Sequence, residues 1–577
     1  MRFSNWRLNL ILIFVFVISA AIVGRLFYLQ VLERKLFSAQ ALGQQMAFDS
    51  VTGSRGQIFC VSSQETKGQQ ASGGLKSLAI NKDSWIISVS TKDILDKNVF
   101  AEMLSSVINQ TSEQILFELE NEDSYVVLQK NVSSVELEKI KELNLKGLFW
   151  QNEPDRFYPQ GQIASQTIGF LGGGGGPSGS GQYGLEGYYE DILMGKTGIL
   201  AEKMGIDSIF SESNKISLDG SDIYLTIDYN IQFQAEQLLK EQQKKNGIDS
   251  GQIIVLKPDT GRILALANFP NFDPNQYSKE SDLEIFQNSA VQKLFEPGSI
   301  MKPFTMAAAL NEGKITPDTK YIDTGSLSFG AKTIRNFNNK VYGEQTMTQV
   351  LEGSINTGAV FAQQQISHKT FFDYLTKFGI FEKTGVDLQG EVYSQNSSLK
   401  NGPDMNYATA AFGQGIEMTP LQIARGFCAI ANGGKLVRPY VVDKIGAPFG
   451  SGGAEIYTKP EISRPILSQQ TISQLNSMLI SVVDNGFNKV AKIPGYYLAG
   501  KTGTAQVPLK NSAGYEPDKT IQSFVGYGPA LNPQFLILVK LDNPKVSSSS
   551  LSAVPVFKQL AQYIINYWQI PPDYEVE

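Results

Sequence analysis

Hydrophobic patterning divides the chain into three regions. Residues Leu8 to Leu29 are almost continuously apolar, interrupted chiefly by Asn9, Ser19 and Arg25, with Arg2 and Arg7 around the start. A run of this length predicts one membrane-spanning helix if Arg25 snorkels its charge to the interface. A cleaved signal peptide is the competing reading, and Ser19-Ala20-Ala21 offers small residues for it. The run exceeds a typical signal core, which favours an uncleaved anchor. Arg25, Arg34 and Lys35 rival the N-terminal arginines, so charge alone does not orient the span. Further along, Trp85-Ile86-Ile87-Ser88-Val89 predicts a strand and Val135 to Leu145 a helix. The glycine run Gly172 to Gly176, followed by Pro177-Ser178-Gly179-Ser180-Gly181, predicts a surface loop of linker composition. From Leu225 onward the pattern gives an opening strand, long helical stretches, a late strand over Phe535 to Leu541 and a helix over Val556 to Trp568. This combination fits a sheet packed between helices. The predicted organisation is a stub and anchor over residues 1–30, a mixed α/β pedestal over 31–218, and an α+β domain over 219–577 that ends in a helix and a short polar stub.

Composition narrows the function. The chain has 577 residues, and 50 Lys and Arg against 56 Asp and Glu give a net charge of −6. With no basic block, nucleic acid is not an expected partner. The two cysteines, Cys60 and Cys428, are far apart in sequence, and the apolar surroundings of Cys428 predict a buried thiol. No Cys/His/Asp grouping has zinc or calcium spacing, so neither metal nor other cofactor is expected. The single histidine, His368, lies outside every motif discussed below. A Ser-His-Asp triad would have to use it, so a lysine-based mechanism is favoured.

Three short strings carry the chemistry: Ser299-Ile300-Met301-Lys302, Ser354-Ile355-Asn356 and Lys501-Thr502-Gly503-Thr504. In that order, at domain-scale spacing, they match the Ser-x-x-Lys, Ser-x-Asn and Lys-Thr-Gly set of penicillin-interacting serine enzymes. A serine hydroxyl is a weak nucleophile and needs a base within hydrogen-bond reach. Positions i and i+3 of a helix share a face, so Lys302 can lie beside Ser299. A lysine loses its proton more easily when desolvated or crowded by another cation, and Lys501 could supply the crowding. Glu296-Pro297-Gly298 is turn chemistry, which puts Ser299 at an expected N-cap ahead of the apolar helical run Phe304 to Leu310. There it would be close to free backbone N–H groups. Pro303 is tolerable in a first turn. Ser354 and Asn356, at i and i+2, converge only in a turn. The β-branched and aromatic content around Lys501 predicts a strand in which Gly503 permits close backbone approach. The same segment, Gly495 to Thr502, also satisfies the P-loop pattern G-x-x-x-x-G-K-[ST]. That motif needs a helix beginning at the lysine, and bulky Tyr496-Tyr497-Leu498 would fill its phosphate cradle.

Longer stretches of the sequence widen the match. They include Arg55-Gly56-Gln57-Ile58-Phe59, Arg156-Phe157-Tyr158-Pro159, Tyr183-Gly184-Leu185-Glu186-Gly187-Tyr188 and Leu225-Thr226-Ile227-Asp228 with Gln232. Further on come Lys257 to Ala265, Phe272-Asp273-Pro274-Asn275, Gly413-Gln414-Gly415 and Thr419-Pro420-Leu421-Gln422. With them, nearly the whole chain resembles the class B penicillin-binding proteins, membrane-anchored D,D-transpeptidases that cross-link peptidoglycan. Cys60 departs from the acidic residue usual at its position in the family. The resemblance implies a pedestal of the dimerisation type, a serine β-lactamase-like transpeptidase domain and a location outside the cytoplasm. It further implies that Ser299 is acylated by a D-Ala-D-Ala stem peptide, with Lys302 as base and Ser354 as proton relay. The backbone N–H groups of Ser299 and Thr504 would hold the oxyanion. Asn356 would bind the donor backbone, and Lys501, Thr502 and Thr504 its carboxylate, with Gly503 between them. Expected partners are donor and acceptor stem peptides, β-lactams, a membrane glycan polymerase and division or elongation proteins. A D,D-carboxypeptidase or β-lactamase using water as acceptor, and a non-catalytic sensor or scaffold, stay open as alternatives.

Overall fold

In the computed structural model, the described residues are 46–62, 74–121, 125–173, 179–195, 197–203, 219–447, 454–486, 489–509 and 514–576, with Phe16 and Ser19. The apolar run Leu8 to Leu29 therefore lies almost wholly outside the described residues. Among those described, no helix is long and apolar enough to cross a membrane.

Consecutive buried residues along β1 (Ser250–Leu256) and β2 (Ile263–Phe269) mark strands covered on both faces. They belong to a five-stranded antiparallel sheet completed by β3 (Ala499–Pro508), β4 (Tyr515–Gly528) and β5 (Phe535–Asp542), in the order β2-β1-β5-β4-β3. Because side chains alternate along a strand, Ile253 and Val255 enter one core and Ile254 and Leu256 the other. Helices α1 (Tyr229–Asn246) and, at the far end of the chain, α6 (Ala553–Tyr567) fill the first. The second is packed by α2 (Lys302–Asn311), α4 (Pro420–Ala431) and α5 (Gln469–Asp484); α3 (Asn356–Gln364) lies against α2. Every residue of α2 except Asn311 is buried, with Phe304 wedged edge-on against Phe378 and Phe427. The late strand and C-terminal helix expected from the sequence are thus β5 and α6. Cys60 and Cys428 are both buried free thiols.

The expected opening strand forms at Ile223–Asp228, but it does not join this sheet. It pairs parallel with Ile58–Val61 and antiparallel with Val442–Ile445, within a six-stranded sheet that continues through Leu75–Lys82 to Asp155–Phe157. The cause is local. Asp228 accepts hydrogen bonds from the N–H groups of Asn230 (2.9 Å) and Ile231 (3.1 Å), starting α1 immediately and ending the strand. This sheet joins the strands at 442–445 and 456–457 to those at 58–61, 75–82 and 155–157. Beside it, Glu186 is fully buried between Arg156 (Nε to Oε1, 2.7 Å) and Arg55 (Nε to Oε2, 2.8 Å). The remaining pedestal core is separate, formed where helices Lys97–Ser105, Ser112–Asn121 and Ser134–Glu142 cover the sheet of Trp85–Ser90, Tyr125–Val132 and Leu148–Asn152. The glycine run begins as Phe170–Gly172 pairs with Ser180–Gln182; residues 174–178 lie outside the described residues.

Candidate active site

Ser299 is not an N-cap. Gly298–Met301 forms a single 3₁₀ turn, and α2 starts at Lys302 with Pro303 in its first turn, where the missing N–H costs little. The N–H of Lys302 donates to the carbonyl of Ser299, and i and i+3 are eclipsed in a 3₁₀ turn. The turn thus puts serine and lysine on one face more tightly than an α-helix would. Gly298 enters it with φ of +59°, a left-handed value that glycine adopts freely. The turn is braced from two sides. Gly298 N–H donates to Gly413 O (3.0 Å), and Glu296 accepts from Gly415 N–H (2.9 Å) and from Tyr515 O–H (3.0 Å).

Ser354 occupies the turn expected for it, with φ of +51°, between the helix Met347–Glu352 and α3. Thr357 anchors this turn from below, donating to Asp323 Oδ1 (2.6 Å), which also accepts from Asn336 Nδ2 (3.0 Å). Lys501, Thr502, Gly503 and Thr504 lie on β3, the edge strand of the main sheet. No helix begins at Lys501, so the P-loop reading fails. A Cβ on Gly503 would collide with Ser523 Oγ on the neighbouring strand and stand 3.1 Å from both Pro297 O and Ile300 Cγ2, so glycine is what lets the strand sit between its sheet neighbour and the nucleophile turn.

The three strings meet around one oxygen. Ser354 Oγ accepts from Lys501 Nζ at 2.9 Å and from Lys302 Nζ at 3.3 Å. Lys302 Nζ also donates to Ser354 O (2.5 Å) and Asn356 Oδ1 (2.8 Å), while Asn356 Nδ2 donates to Arg335 O (3.0 Å). Both ends of the Asn356 amide are therefore engaged in holding Lys302, a role the sequence did not suggest. Ser299 Oγ is not among the partners of Lys302 here. The three acceptors around Lys302 Nζ use the three protons of an ammonium; losing one proton, and with it one of these bonds, frees the lone pair that Ser299 needs. The environment favours the neutral form. Both lysines are fully buried. Burial, and then the charge of Lys501, drive Lys302 well below its ordinary value, and burial lowers Lys501 to about 7. With Lys501 donating to its oxygen, Ser354 keeps its own proton free to give away.

The two threonines differ. Lys501 Nζ donates to Thr502 Oγ1 (3.3 Å), leaving the Thr502 proton free for an incoming acceptor. Thr504 Oγ1 instead lies 2.9 Å from Ser549 Oγ.

Comparison with known proteins gives the family. A model of the penicillin-binding protein transpeptidase domain matches residues 251–562, and one of the penicillin-binding protein dimerisation domain matches 72–225. The chain belongs to the class B penicillin-binding proteins. It is 31% identical to stage V sporulation protein D of Bacillus subtilis, over 81% of this chain and 73% of that one. It is 26% identical to a probable peptidoglycan D,D-transpeptidase PenA of Neisseria meningitidis, over 99% and 94% respectively. The crystal structure of penicillin-binding protein 3 from Mycobacterium tuberculosis, complexed with aztreonam, superposes with a TM-score of 0.68 at 26% identity, covering 91% of this chain and 98% of that one.

Of the eight residues singled out in the sequence, Lys302, Ser354, Asn356, Lys501 and Thr502 share one hydrogen-bond network, Ser299 and Gly503 lie on the turn and strand that abut it, and Thr504 pairs with Ser549. His368 takes no part: it stacks on Tyr407 at 3.9 Å and faces Asp404. Sequence reasoning missed Glu296 as a brace, although it read Glu296-Pro297-Gly298 as a turn. It also missed Tyr515, Asp323, Asn336 and Ser549, for which no local pattern exists. Among the described residues, no group of three or more His, Cys, Asp or Glu is placed to hold a metal.

Proposed function

We propose that this chain is a peptidoglycan D,D-transpeptidase that works through an acyl-enzyme on Ser299. The observation that carries the reading is the Ser354 hydroxyl shared by two buried lysines, one of which, Lys302, closes the turn that carries Ser299. Neutral Lys302 takes the Ser299 proton as Oγ attacks the carbonyl between the last two D-alanines of a donor stem peptide. Backbone N–H groups of Ser299 and Thr504 stabilise the oxyanion. Ser354 passes a proton to the departing amine, drawing its replacement from Lys302. The C–N bond breaks, D-alanine leaves and the ester remains. An amine from a neighbouring stem then attacks that ester, forms the amide cross-link and returns the proton to Ser299. Lys501 and Thr502 hold the donor carboxylate, with Asn356 positioning Lys302. β-Lactams occupy the donor position and acylate the same serine.

The finer assignments belong to the same proposal. The apolar run Leu8 to Leu29 anchors the chain with the catalytic region outside the cytoplasm. Residues 31–218 act as the pedestal and 219–577 as the transpeptidase region. A membrane glycan polymerase and division or elongation proteins supply its context. The test is a cross-linking assay on purified protein with donor stem peptide and an acceptor amine, following released D-alanine and joined peptide together. Cross-linked product that disappears in Ser299→Ala supports the reading. Release of D-alanine into water only, whatever the acceptor concentration, would instead mark a carboxypeptidase.

A further inference from the structure

We infer that Ser549 is a positioning residue for the oxyanion hole, an inference that rests on the acyl-transfer reading above. Ser549 lies in the short 3₁₀ turn Ser549–Leu551 just before α6 and is 2% exposed. Its hydroxyl donates to the carbonyl of Gly503 at 2.5 Å. That carbonyl belongs to the same peptide unit as the N–H of Thr504. The unit is planar and trans, so its C=O and N–H point in opposite directions and move as one body. Holding the oxygen therefore aims the hydrogen. A hydrogen bond on the oxygen also polarises the amide and strengthens its N–H as a donor.

The same serine fixes the neighbouring side chain. With its only proton given to Gly503 O, Ser549 Oγ can only accept from Thr504 Oγ1 at 2.9 Å, so the Thr504 side chain is turned toward Ser549. Ser549 is itself held rigidly. Gln522, opposite Thr504 in the ladder, donates from Nε2 to Val546 O (2.6 Å) and accepts at Oε1 from Ser552. These two bonds clamp the segment on either side of Ser549.

The test compares wild type, Ser549→Ala and Ser549→Cys in reaction with a penicillin, separating the pre-covalent dissociation constant from the acylation rate constant. Affinity for phenylboronic acid, whose tetrahedral Ser299 adduct puts a boronate oxygen in the hole, is measured alongside. Ser549→Ala is expected to slow acylation about ten- to a hundredfold and weaken phenylboronic acid in step, with the pre-covalent constant unchanged. Ser549→Cys, a weaker donor of similar size, falls between and decides the matter if the alanine variant does not fold. Wild-type acylation in the folded variants, or a loss confined to the pre-covalent constant, overturns the inference alone. A wild type that penicillin does not acylate sinks the parent reading along with it.

Discussion

Lys302 and Lys501 are two fully buried amines sharing one serine oxygen, an arrangement that costs folding energy and supplies reactivity. In the unfolded chain Lys501 keeps its proton up to its ordinary value of 10.5, whereas in the folded protein burial releases it near 7. Between those values the unfolded state binds more protons, so stability rises with pH through that window. Lys501→Met removes this term and relieves Lys302 of a neighbouring charge. Urea midpoints at pH 7 and pH 9.5 are therefore expected to rise more in wild type than in Lys501→Met; parallel changes would contradict the account. At this scale the sequence was informative. A serine and lysine three apart, and the elimination of His368, pointed to an amine base directly. The engagement of Asn356 was not legible, because its second partner is the carbonyl of Arg335, brought in by a hairpin that no local pattern connects to it.

Among the elements, the site depends on how closely β3 meets the turn that carries Ser299. Gly503 faces the turn with no room for a side chain. Gly503→Ala must push aside the buried Ser523 hydroxyl, and part strand and turn by a few tenths of an ångström, because Pro297 O is backbone and Ile300 is buried. Acylation by a penicillin is expected to fall about ten- to a hundredfold, since reacting groups tolerate little misplacement, with the melting temperature shifted by only a few degrees. An unchanged acylation rate would show that the edge strand has slack. The strand over 499–508, the helix after Ser299 and the C-terminal helix were all readable from apolar and β-branched runs. The 3₁₀ turn at Gly298–Met301 was not. Its choice over an α-helical N-cap depends on the Gly298 φ and on braces from Gly413 and Glu296, which are tertiary contacts.

For the whole molecule, the six-stranded sheet joins the proposed pedestal to the proposed transpeptidase region, and Glu186 locks the pedestal side of that junction. Burial alone would push its carboxyl up, yet Arg156 and Arg55 more than offset that and hold it below the usual carboxylate range. Glu186→Ala strips the buried Arg156 of its carboxylate and leaves Arg55 with Glu190 alone, and is expected to cost about 3–5 kcal/mol. Denaturation midpoints should fall, while acylation of Ser299 in the folded fraction keeps its rate, because none of Arg55, Arg156 and Glu186 lies on an element that carries the site. A slowed acylation with intact stability would instead connect the pedestal to the chemistry. The arginines and glutamate were visible in the sequence as family motifs, but their convergence on one buried carboxylate required the fold. The strand at Ile223–Asp228 shows the same limit: its apolar pattern predicted a strand, and only the packing assigned its sheet.

The central claim is that Ser299 is the acylated nucleophile of a penicillin-binding transpeptidase. It is tested most directly by intact-mass analysis after exposure to a penicillin, on wild type and on Ser299→Ala. The account predicts a stable adduct of one penicillin on wild type and none on the variant. A folded wild type that gains no mass, or an adduct that persists in Ser299→Ala, would contradict it.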